Sequence, residues 1–595
     1  MAEFTLFVPL NRGPFSVVQS VEIGNQRPTN NDISLIKVIA NNANNTIEHE
    51  GVFLIILGLP ELNDLVQKKH QLLQGYLLKG ASYLAQLTGH FCIVVVDEVK
   101  QAVYALTDKM GTTNLYYHKD KDGLYLSTGL GKLIAMADKK FELSAQSLYQ
   151  YIYFHCIPSP DTIYQNVHKL EPARMLKIES SVMSNSSYWT PSFSHNNLNI
   201  DVKQKQQQLR DALSDATKAY ANNDSVGTFL SGGLDSSSVT AYLAKNSSQP
   251  INTFTIGFSE PGYDEKEFAQ AVSDKFATNH TTYDVTPQDI HEYLPQIASY
   301  YDEPFCNSSA LPTFFCAKLA KDNGVDTLLA GDGGDELFAG NERYAKQKVF
   351  ERYFKLPGAV RSLLDTVVPA AAKTIPVNII NKAQSYLQQA NEGLPGRLQH
   401  YNFLHQTSPT QIFNQSILEN VIQGRPVEQY QQRYDELSDT HFVDNMLYLD
   451  WKFTLADNDI MKVNYMTKMA GVEVKYPMLS EKLLALSCDI PAEVKLPGQL
   501  LRDFYKQSLA PVLPASTINK SKQGFGLPFG KWLVQNQDLQ RLTSDALDSL
   551  KQRDIFEPSF IDKAQKMQAD GHAQYYGELV WIMVMLELWL QSHSL

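Results

Sequence analysis

Residues 226–237 read VGTFLSGGLDSS: an apolar run, then Ser-Gly-Gly, then the start of a helical pattern. Gly232 and Gly233 permit positive φ and let a phosphate approach the backbone closely. Backbone N–H groups in a loop that enters a helix N-terminus bind anions, and Ser231, Ser236 and Ser237 add hydroxyl donors. A G-x-x-x-x-G-K-[ST] phosphate loop requires a lysine that this loop does not have. Asp235 stands there instead, and a carboxylate beside a polyphosphate is suited to holding Mg2+. Residues 330–340 read AGDGGDELFAG and place Asp332, Asp335 and Glu336 at the end of a strand predicted over 324–329. Ligands bind at that end of open parallel sheets. A plain solvated turn is the alternative for either segment alone; the strand, loop and helix together favour a phosphate site.

The elements that must carry these loops begin after a change of pattern. A polar, Asn- and Ser-rich stretch over 192–199 reads as a linker. Beyond it, helices predicted over 202–222, 236–245 and 265–276 alternate with strands over 226–230, 251–257 and 280–285. That alternation indicates a parallel sheet with helices on both faces. Residues 344–442 read as helices and loops without a chemical motif. Before the linker the chain is β-rich. Residues 91–96 (FCIVVV) form a continuous apolar run suited to a buried strand, with further strands at 103–106 and 123–127 and a helix over 61–74. This predicts a layered α+β domain with antiparallel sheets.

Composition is that of a globular enzyme: 595 residues, 43% hydrophobic and 19% charged. A formal charge of −12 argues against nucleic acid as a partner. The five cysteines make no CxxC pair or metal-ligand spacing, which fits a reducing compartment. The apolar segment 580–590 is shorter than a membrane span and contains Glu587, so it reads as a buried C-terminal helix. The N-terminus lacks the pattern of a secretory signal. These features lead us to expect a cytoplasmic enzyme.

The loop at 231–237 resembles the pyrophosphate loop of the N-type ATP pyrophosphatases, which cut ATP between its α- and β-phosphates. The acidic motif resembles the second signature of the class B asparagine synthetases. Residues 302–305 (DEPF), 308–312 (SSALP), 459–480 and 521–525 (SKQGF) extend the resemblance over essentially the whole chain. The resemblance implies that Asp235 and Asp335 hold Mg2+ on the pyrophosphate of ATP and that Leu230, Ile256 and Gly331 surround the adenosine. It implies that Lys522 neutralises charge on the phosphate and then on a tetrahedral intermediate. Glu336 would accept a proton from the attacking amine, and Asp332 would lie near the carboxylate or amine substrate. Asn464 and Tyr465 depart from a usual Asp-Arg pair, Lys475 from Arg and Ser480 from Asp.

In glutamine-hydrolysing members of that family, the N-terminal domain is an N-terminal-nucleophile (Ntn) fold whose cysteine follows the initiator methionine. Position 2 here is Ala2, and no cysteine precedes Cys92. The Asn-Gly-Glu segment that serves the oxyanion falls at Leu57-Gly58-Leu59, and apolar side chains cannot stabilise an oxyanion. Segments 87–91, 108–111 and 115–117 still resemble the family's β-core. The resemblance thus implies an inactive Ntn-like sandwich over 1–191, followed by an α/β ATP-pyrophosphatase domain over 200–595 with a helical insertion at 344–442. The expected activity is adenylation of a small-molecule or peptide carboxylate, then amide formation with an amine or ammonia not taken from glutamine. A lasso-type peptide macrolactam cyclase, with a precursor peptide and a protease as partners, is one form of it. An ammonia-using asparagine synthetase and a non-catalytic ATP-binding scaffold are the alternatives.

Overall fold

The computed structural model describes residues 3–10, 21–22, 37–40, 46–60, 65–180, 182–194, 200–260, 262–374, 378–521, 526–569 and 575–594. The apolar run at 91–96 lies in the strand Gly89–Asp97, at the middle of a six-stranded sheet. It pairs antiparallel with Val52–Pro60 on one side (Ile55 opposite Val94) and with Ala102–Thr107 on the other (Val94 opposite Ala105). The run is continuous because both faces are covered. Cys92, Val94 and Val96 pack against a second six-stranded sheet through Leu6, Val8 and Leu124. Ile93 and Val95 pack under Leu72, Leu73 and Tyr76 of the helix Leu65–Lys79. Helices cover the outer face of the second sheet, where Leu130 and Leu133 meet Phe7 and Tyr125. The order is therefore helix, sheet, sheet, helix. One pairing departs from the antiparallel expectation: Val21–Glu22 runs parallel to Lys37–Ala40.

The second half is built on a five-stranded, wholly parallel sheet. Its order is Asn279–Val285, Asn252–Phe258, Val226–Phe229, Thr327–Leu329, Glu473–Lys475. The chain lays strands to one side of Val226–Phe229 and then crosses to the other side. The switch point thus falls between Val226–Phe229 and Thr327–Leu329, and a crevice opens there beyond the strand ends. Helices pack on both faces, Leu234–Asn246 on one and Ala310–Asp322 on the other. The fifth strand was not expected. Residues 473–475 are too few to show alternation, and only pairing (Leu328 opposite Val474) makes them a strand. From Phe442 to Met469 the chain is helical throughout, with a π-helical stretch at Trp451–Ile460. Such stretches are rare and recur at functional sites.

The two halves share buried polar contacts. Lys169 pairs with Glu303 at 3.0 Å and with Asp457 at 3.5 Å, all three buried. Arg433 pairs with Glu171 at 2.5 Å. The buried Lys452 ammonium donates to the Pro172 carbonyl at 2.8 Å. Of the unusual residues Asn464 and Tyr465, Asn464 serves this interface by donating to the Thr112 carbonyl at 2.9 Å. Tyr465 donates within its own half to Asp302 at 2.9 Å, and it is Asp302 that accepts from the Leu130 N–H of the other half at 2.7 Å. The C-terminal helix Tyr575–Ser592 is buried along most of its length, and among the described residues no helix is long and apolar enough to cross a membrane.

Candidate functional site

Strand Val226–Phe229 ends with the Leu230 N–H donating to the Phe254 carbonyl at 2.9 Å, after which the backbone turns out of the sheet. Gly232 makes that turn at φ +68°, and a Cβ there would lie 2.5 Å from backbone atoms of Phe268 and Ala269. No other residue type fits this position. The Gly233 N–H donates to Ser231 Oγ at 3.3 Å, and the Ser231 and Ser236 hydroxyls are 3.0 Å apart. Helix Leu234–Asn246 follows, and no side chain caps its start, so its first N–H groups remain available to an anion. The second loop touches the first through backbone: a Cβ on Gly331 would lie 2.6 Å from Ser236 N.

Together the loops wall a cavity of about 670 Å³. Of the residues picked out by sequence, Leu230, Ser231, Gly233, Asp235, Ser236 and Ile256 line it from the first two strands, and Gly331, Asp332, Asp335 and Glu336 from the fourth. Two do not line it. Gly232 shapes the turn from behind, and Ser237 is fully buried in the helix, its hydroxyl without a partner among the described residues. Lys522 lies outside the described residues.

The structure adds residues that sequence reasoning missed. Arg502 reaches both acidic residues, donating from Nη1 to Asp235 Oδ2 at 3.1 Å and pairing through Nη2 with Asp335. Lys520 pairs with Glu265 at 2.8 Å and donates to the Ser231 carbonyl at 3.2 Å, which ties the C-terminal segment to the phosphate loop. Lys462 pairs with Asp459 at 2.9 Å on the cavity wall beside Asp332. Desolvation pushes the Asp332 carboxyl up to about 6; Lys462 pulls it back, and Asp459 adds to the rise. Burial works against the Lys462 ammonium, but Asp459 and Asp332 outweigh it and hold its pKa above the usual lysine range. Asp459 and Lys462 fall inside a segment flagged for its resemblance, which was the available signal. Arg502 sits in GQLLRDFY, which carries no signal at all.

The donor set can be tested against Mg2+. Among the described residues no three His, Cys, Asp or Glu side chains are placed to hold a metal. Asp235 and Asp335 do converge, closely enough for one guanidinium to touch both. Two carboxylates without a third protein ligand suit Mg2+, which is held by one or two carboxylates plus substrate phosphates. The residues present fit the ion in that form.

In the N-terminal half the described residues at Leu57-Gly58 are sheet core. Leu57 is buried and pairs opposite Cys92 in the sheet core. Gly58 has φ +82°, and a Cβ there would overlap the His90 carbonyl. All five cysteines are buried, and burial pushes the Cys92 thiol pKa up, with Asp108 adding to the rise. A buried thiol of raised pKa is inert as a nucleophile.

Residues 208–591 match the family model described as asparagine synthase, and residues 70–189 match one described as a glutamine amidotransferase domain. The chain is 25% identical over 461 residues to asparagine synthetase (glutamine-hydrolyzing) 1 of Bacillus subtilis, covering 76% of this chain and 69% of that protein. It is 26% identical over 481 residues to a putative asparagine synthetase (glutamine-hydrolyzing) of Mycobacterium tuberculosis, covering 79% and 71% respectively. A putative asparagine synthetase of Methanocaldococcus jannaschii is 30% identical over 294 residues, covering 49% of this chain and 57% of that one.

Proposed function

We propose, for a chain that belongs to the asparagine synthase family and is an ATP-dependent amide ligase, that it activates a carboxylate by adenylation and that the amine capturing it is not released from glutamine by this chain. The observation that carries this reading is the meeting of the two loops at the sheet's switch point, around a cavity large enough for a nucleotide and an acyl substrate.

The residues divide the work as follows. Leu230, Ile256 and Gly331 form the wall for adenosine. Ser231, Gly233, Ser236 and the helix N-terminus hold the pyrophosphate. Asp235 and Asp335 are the carboxylates that would hold Mg2+, whose role is to neutralise charge on the departing pyrophosphate. A substrate carboxylate oxygen attacks the α-phosphorus, the α–β bridging P–O bond breaks and pyrophosphate leaves. An amine then attacks the acyl carbon and AMP leaves. Glu336 takes the proton that the amine gives up, and Lys522 balances the developing negative charge. Asp332, beside Lys462 and Asp459, orients the substrate's polar groups.

The amine source is argued from the other half. Ala2, Leu57 and Leu59 supply neither a thiolate nor oxyanion donors. An amine carried by the substrate itself, as in a peptide macrolactam cyclase, satisfies this. A second reading is asparagine from aspartate and free ammonia: the names of the relatives favour asparagine as the product, although those names give glutamine as the nitrogen source. Mass spectrometry of the product separates them. Purified protein with ATP, aspartate and ammonium yields no asparagine under the first reading and yields it under the second. With glutamine as the sole nitrogen source no glutamate forms; glutamate formation would refute the reading of the N-terminal half.

A further inference from the structure

Arg502 belongs to neither loop, yet its guanidinium spans the two carboxylates assigned to the metal. The backbone is arranged to seat it. Arg502 has φ +56°, a left-handed conformation unfavourable for a non-glycine residue, and its N–H donates to the carbonyl of Ala339, itself at φ +58°. Gly340 leaves the remaining space, since a Cβ there would overlap both Asp335 Oδ1 and Arg502 Nε. Burial opposes the Arg502 charge, but Asp235 and Asp335 outweigh it. A side chain held this way, between two carboxylates whose mutual repulsion it relieves, is not a surface ion pair.

We propose that Arg502 is a positioning residue that occupies the metal-binding carboxylates in the nucleotide-free enzyme, competing with Mg2+ so that the metal enters only together with the polyphosphate. The inference rests on the reading that Asp235 and Asp335 hold Mg2+. A planar guanidinium bridges two carboxylates in a way a point charge cannot. Mg2+ sheds water reluctantly and relies on substrate phosphates to complete its shell. Free Mg2+ is therefore a weak competitor for the pair. A nucleotide-bound Mg2+ brings its own oxygen ligands and offers the displaced guanidinium phosphate oxygens to donate to.

The test is an MgCl2 titration of the nucleotide-free full chain, followed by thermal melting and calorimetry. Wild type is expected to show weak Mg2+ binding, whereas Arg502→Gln is expected to bind it with a half-saturating concentration lower by at least about tenfold. Asp335→Asn in the Arg502→Gln background should erase that binding. Arg502→Lys guards against loss of folding in the glutamine variant: lysine pairs with one carboxylate at a time, so its half-saturation should fall between the two. Equal half-saturation in wild type and either variant overturns the proposal. Because binding is read without turnover, the outcome stands apart from the adenylation reading. A chain that forms no pyrophosphate can still show the titration, and an active adenylating enzyme can fail it.

Discussion

The two halves of this ligase solve similar folding problems and end differently. In the N-terminal half, Val52–Pro60 and Gly89–Asp97 pair over their full nine residues, with Leu57 buried opposite Cys92. In the C-terminal half, Val226–Phe229 stops after four residues, and the chain turns away through glycine to open a cavity. Apolar residues at strand spacing hold the first half together whatever stands at its sheet ends. The second half keeps its acids, serines and glycines at those ends. Scaffold and chemistry are therefore separable, because burial of periodic side chains supplies most of the stability and a few terminal residues supply the reaction.

The largest break in that comparison should come from Asp335→Asn. It removes one of two converging carboxylates, and ATP-dependent pyrophosphate exchange should fall by about 10³-fold, with the melting of the N-terminal half unchanged. Unaltered exchange would remove Asp335 from the site. A smaller effect tests the interface. Burial pulls the Lys452 ammonium down to about 7, opposed by Glu436 and aided by Arg433. The unfolded chain holds that proton to about pH 10.4, so between these values it binds more protons than the folded chain. Stability should then rise with pH from about 7 towards 10. Lys452→Met should flatten that slope in melts taken across the range while leaving ATP-dependent exchange near wild type. A slope equal to wild type would show that Lys452 is charged in the fold.

Much of this was legible in the sequence, for reasons that can be named. Residues 91–96 announced a buried strand because both faces are covered. The two acidic, glycine-rich loops stood out because phosphate and metal chemistry need those residue types close together in the chain. Residues 473–475 gave no signal, since a three-residue strand exists only through its neighbour. Arg502 was invisible because its meaning lies in Asp235 and Asp335, distant in sequence and close in space. Asn464 and Tyr465 read as unexplained departures because their partners, Thr112 across the interface and Asp302 within the same half, are distant in sequence.

The central claim is where ATP is cut. The direct measurement is exchange of labelled pyrophosphate into ATP by the purified full chain with Mg2+, in the presence of candidate carboxylates including aspartate and carboxylate-bearing peptides. The account predicts carboxylate-dependent exchange, with AMP and pyrophosphate as products once an amine is added. Formation of ADP and phosphate instead would contradict it.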